Sequence, residues 1–111
     1  MKAAAILVAA SAALAFSTGA LAGGNAEKGK AKSEQVCKAC HGVDGAQPVA
    51  PENPILAGQY ADYIVKALSD YKSGKRVNPV MKAMADPLSR QDMDDLAAWF
   101  SSQPSKLHFQ R

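Results

Sequence analysis

Two cysteines and a histidine carry the chemistry of this chain. The stretch Cys37-Lys38-Ala39-Cys40-His41 holds both cysteines of the sequence and one of its two histidines. C-x-x-C-H is the attachment signature of a c-type haem. Each thiol adds across one vinyl group of a porphyrin. Two intervening residues at a helix end let both sulfurs reach neighbouring vinyls. The adjacent His41 then projects under the ring, where its neutral imidazole nitrogen binds iron from the proximal side. Other uses of the pair fit less well. A thioredoxin-like dithiol sits beside a βαβ pattern, and no strand alternation occurs here. A disulfide would close a very small loop and contribute little. Zinc needs four ligands, and only His41 and His108 could join the cysteines. A dithiol redox protein is the alternative for a chain with no haem attached.

Iron with one axial histidine needs a second ligand or keeps an open site. A thioether closes the site, favours Fe(II) and raises the potential. Met81 and Met84 lie between Pro79 and Pro87, in a stretch from Lys75 that reads as irregular. Met81 is the first choice of distal ligand and Met84 the second. Without haem, both would be plastic core residues.

The elements that must position these groups are helical. Asn25 to Cys40 reads as a helix, with Asn25 able to cap it. Gly29 within it costs about 1 kcal/mol against Ala and marks a point of close packing. Gly42 to Pro54 is loop, because two glycines and three prolines exclude regular structure. A proline carbonyl there, with Pro48 the candidate, would accept the second ring N–H of His41; a rigid turn without that bond reads equally well. Tyr60 to Ser73 reads as a helix ended by Gly74, with Tyr60, Ile64, Ala67, Leu68 and Tyr71 at helical spacing. Core packing is preferred over haem contact for Tyr60, Tyr63 and Tyr71. The last helix starts at Ser89, with Asp92 completing a capping box and Leu88 facing Met93 as a hydrophobic staple. Met93, Leu96, Ala97 and Phe100 follow at core spacing. Pro104 stops it. Residues 105–111 read as a frayed tail, with His108 exposed rather than a ligand. The expected fold is all-α: three main helices plus loops wrapped around one haem.

At 111 residues the chain is too short for a barrel or a doubly wound nucleotide-binding fold. Met1-Lys2, an Ala-rich apolar run and small residues at Ala20 and Ala22 match a cleavable export signal. Cleavage after Ala22 leaves residues 23–111 outside the cytoplasm, in the periplasm of a Gram-negative host. An uncleaved anchor fits less well, because Ser11, Ser17, Thr18 and Gly19 interrupt the run. The net charge of +3 is too small for a nucleic-acid footprint. Lys28, Lys30, Lys32 and Lys38 lie early, and Asp86, Asp92, Asp94 and Asp95 late. That asymmetry would orient a docking encounter, or simply be two solvated helix faces.

Taken in order, Cys37-Lys38-Ala39-Cys40-His41-Gly42-Val43-Asp44-Gly45, Leu56-Ala57-Gly58-Gln59, Met81 through Ser89, and Asp95-Leu96-Ala97-Ala98-Trp99-Phe100 resemble class I c-type cytochromes. The type is small, bacterial and periplasmic. The match is to one half of the tandem dihaem proteins and to their single-haem relatives. The resemblance implies a cytochrome c fold with first and last helices packed across each other. It implies thioether bonds through Cys37 and Cys40, and His41 and Met81 as axial ligands. It also implies a soluble one-electron carrier rather than an enzyme, a monomer that meets donor and acceptor proteins briefly at the haem edge. A haem subunit of a larger oxidoreductase is the runner-up. The chain departs from the tandem pattern in holding a single C-x-x-C-H.

Overall fold

The computed structural model describes residues 23–105. The expected export segment, 1–22, and His108 lie outside them. Five helices follow in order: α1 (Ala26–Val36), α2 (Lys38–His41), α3 (Ala61–Ser73), α4 (Pro79–Ala85) and α5 (Arg90–Ser101). No strand occurs among the described residues.

α1 begins as its sequence directs. The Asn25 side chain accepts the Lys28 N–H at 3.0 Å, satisfying a donor that the helix itself cannot. The single helix expected to reach Cys40 is broken at Cys37, which opens to φ −110°. The break is slight. Cys37 N–H still bonds Ser33 O at 2.8 Å, and His41 N–H bonds Cys37 O at 3.0 Å.

α4 corrects the expectation of an irregular stretch. Pro79 does not break this helix because it occupies the first turn, where its missing N–H has no intrahelical role. Asn78 caps it, accepting the N–H groups of Val80 and Met81 at 3.0 Å each. On α3 the tyrosines also depart from expectation. Tyr60 and Tyr63 are exposed, and Ile64 alone on that helix is fully buried. Tyr60 precedes the first helical residue, so its side chain is not held to the apolar stripe. Gly74 ends α3 in the left-handed region, at φ 84°, as expected.

α5 supplies most of the core. Ile64, Leu88, Met93, Leu96, Ala97 and Phe100 form one cluster. Both arms of the capping box are made: Ser89 Oγ accepts from Asp92 N at 3.0 Å, and Asp92 Oδ2 accepts from Ser89 N at 2.9 Å. Leu88 and Met93 are buried together beside it. Ser89→Ala should therefore cost about 1 kcal/mol in a denaturant titration. The backbone bond from Ser89 holds the Asp92 carboxyl below its ordinary value of 3.8, with a smaller contribution from Lys32. A depressed carboxylate stabilises the fold above that ordinary value, and the contribution fades as pH falls below 3.8. Asp92→Asn, which removes the titrating carboxyl, should flatten the acid limb of the stability curve.

α1 crosses α5, and α3 packs on both α4 and α5. Gly29 lies at the α1–α5 crossing, where an added Cβ would stand 1.9 Å from Asp95 O. Buried Asp95 ties the helices further, accepting Asn25 N–H at 2.7 Å and Gln91 Nε2 at 2.9 Å. The charge asymmetry read along the chain is reduced by this crossing. Lys32 pairs with Asp92 at 3.4 Å, and Asp95 is buried rather than solvated.

Candidate functional site

The short helix α2 and the residue before it carry the three motif side chains. Cys37 is half-buried, Cys40 exposed, and both are free. Burial pushes the Cys37 thiol up to about 11, with the nearby Ser33 hydroxyl pulling weakly the other way. A thiol held that high is almost wholly protonated at neutral pH.

His41 is 6% exposed. Its Nδ1 donates to Pro54 O at 3.0 Å. A carbonyl oxygen only accepts, so the proton sits on Nδ1 and Nε2 keeps its lone pair for a metal. The carbonyl expected from Pro48 is thus supplied by Pro54. The path of the loop explains the choice. Gly42 turns the chain at φ 87°, where an added Cβ would meet Gln47 O at 2.7 Å. Val49 N–H and Asn53 Nδ2 then both bond Cys40 O, at 3.0 and 3.1 Å. The loop is folded back on α2, and Pro54 follows directly from the pinned Asn53. With prolines at 48, 51 and 54, the sequence holds no local signal that separates them.

The residues present fit a haem. No three His, Cys, Asp or Glu side chains converge on a metal position among the described residues. A bare ion would lack a donor set, whereas a porphyrin brings four nitrogens and asks the protein only for axial ligands. Large apolar side chains also stand uncovered on the segments around the motif and α4: Val43, Val49, Val77 at 88% exposure, and Val80. So many uncovered apolar groups mark a surface meant to be covered. Met81 is half-buried on α4, and Met84, one turn later, is 39% exposed. The groove of about 320 Å³ lined by Ser69, Lys72, Ser73, Leu88, Arg90 and Met93 includes none of these residues and is not the site.

Residues 26–104 match the family model described as cytochrome c. The chain belongs to the cytochrome c family. It carries covalently bound haem c, with its iron, in an all-α cytochrome c fold. The cytochrome c4 of Stutzerimonas stutzeri is 46% identical over 97 residues, covering 79% of this chain and 45% of that protein. Cytochrome c-554(548) of Halomonas halodenitrificans is 44% identical over 70 residues, 60% of this chain and 83% of that one. The crystal structure of reduced recombinant cytochrome c4 from Pseudomonas stutzeri superposes with a TM-score of 0.68 at 45% identity, covering 76% of this chain and 48% of that chain. The chain spans less than half the length of the cytochrome c4 proteins it matches. No helix among its described residues is long and apolar enough to cross a membrane.

Proposed function

We propose that this cytochrome is a one-electron carrier whose haem is bound through Cys37 and Cys40, with His41 and Met81 as axial ligands. Bound haem supplies an Fe(III)/Fe(II) couple that changes by one electron. The observation that carries the reading is the buried His41 imidazole, oriented by Pro54 O and set directly after two free cysteines. Each side chain has a defined part. Cys37 and Cys40 hold the ring covalently from one short segment. The Pro54 carbonyl keeps the His41 proton on Nδ1 and so presents Nε2 to iron. Met81, the better shielded of the two methionines on α4, offers a soft sulfur that favours the reduced metal. With His41 and Met81 both holding the iron, the site would keep no ligand place for a substrate, and the role would be transfer rather than catalysis.

Its partners are electron donor and acceptor proteins met through a small, transient interface. Residues 1–22 read as an export signal, which would place the domain, residues 23–111, in the periplasm. The ligand assignment is tested by absorption spectra of the oxidised protein, wild type beside Met81→Ala and Met84→Ala. The far-red methionine–iron band is expected to vanish only in Met81→Ala. Loss only in Met84→Ala would move the ligand by three residues, and loss in neither would overturn methionine ligation.

A further inference from the structure

Ser33 is wholly buried on α1, and its hydroxyl has no hydrogen-bond partner among the described residues. A buried, unpaired hydroxyl destabilises a fold, and native structures rarely leave one. A serine inside a helix normally bonds back to the carbonyl four residues earlier, and Ser33 makes no such bond. The group it faces lies in the other direction. Cys37 N–H bonds Ser33 O at 2.8 Å, so the helical register continues and residues 33 and 37 share one face. Cys37 itself packs half-buried against the core cluster.

We propose that Ser33 is a positioning residue for the haem bond, its hydroxyl donating to the Cys37 sulfur once that sulfur is a thioether. The proposal rests on the reading of Cys37 as an attachment residue. Thioether formation removes the thiol proton and leaves a sulfur that can only accept. The hydroxyl proton then has an acceptor one helical turn away, and the roles of the two groups become unambiguous. The hydroxyl already stands close enough to the Cys37 thiol to pull its pKa down against the larger effect of burial, though not in a well-formed hydrogen bond. The other orphaned polar atom, Trp99 Nε1, is a donor only. It cannot take the hydroxyl proton. A hydrogen bond to the sulfur withdraws electron density from the attached ring and favours the reduced state, as hydrogen bonding around a haem generally tunes potential.

The test uses the haem-loaded protein. Redox titration compares wild type, Ser33→Ala and Ser33→Thr, and proton NMR follows the reduced, diamagnetic wild type. Ser33→Ala is expected to shift the potential downward, and Ser33→Thr, which keeps the hydroxyl, to restore it. The wild-type hydroxyl proton is expected to exchange slowly and contact the Cys37 β-protons. An unchanged potential in Ser33→Ala, or a hydroxyl proton that contacts the Trp99 ring instead, would overturn the proposal while extraction-resistant haem left the attachment reading standing. Wild-type haem that extracts freely would overturn both together.

Discussion

Gly29→Val is expected to destroy the α1–α5 crossing and lower stability by more than about 4 kcal/mol, the range reserved for severe core defects. The reason is geometric. The atoms an added Cβ would strike are Asp95 O at 1.9 Å and Asp95 C at 2.5 Å. Both are backbone in the middle of α5, so no rotamer change relieves the clash. Moving α1 outward would also pull the Asn25 N–H from Asp95 Oδ1 and open the Lys32–Asp92 pair. Valine's better intrinsic helix propensity recovers only a fraction of about 1 kcal/mol. In a domain of this size, about 1 kcal/mol corresponds to roughly 4–8 °C, so the melting midpoint should fall by tens of degrees. Thermal melts followed by circular dichroism would show it. A Gly29→Val protein that melts with wild type would mean the helices do not meet there.

His41→Gly is expected to have the other large effect. It removes the nitrogen proposed to bind the iron and empties a buried position whose residue is 6% exposed in the native fold. The two thioether bonds should survive, because the cysteines are untouched. The low-spin spectrum should be lost, and unfolding should become easier by more than about 4 kcal/mol, as when a metal bond is removed. Free imidazole, small enough to enter the vacated position, should restore the spectrum and part of the stability. An unchanged low-spin spectrum in His41→Gly would assign the axial position to another residue.

Much of the fold and of the candidate haem site is legible in local runs of residues. The α5 capping box and staple are such patterns, with Leu88, Ser89, Asp92 and Met93 all within a few positions of one another. Gly29 is conspicuous because a glycine inside a helix costs stability unless something needs the space. The C-x-x-C-H run is dictated by the chemistry of the porphyrin. What stays hidden in the sequence is set by distance along the chain. Pro54 rather than Pro48 meets His41 because Asn53 and Val49 both return to Cys40 O, which no local pattern encodes. Asp95 reads as a dipole charge on α5, yet it accepts the backbone N–H of Asn25 at the entry of α1, seventy residues away. The α4 helix is a different case, because its signal is local but ambiguous. Asn78-Pro79 reads as a breaker, and the same pair is also a good helix start. Tyr60 and Tyr63 lie close to the apolar spacing of α3 and still stand exposed, because spacing names a face without saying what covers it.

The central claim is that haem is joined to this chain through Cys37 and Cys40. The most direct measurement is acid–organic extraction of the exported protein, with absorption spectra taken before and after, wild type beside the double variant Cys37→Ser/Cys40→Ser. Haem that stays with the wild-type chain and is absent from or released by the double variant is the predicted result. Haem that extracts freely from wild type, in a host competent to attach it, would contradict the claim.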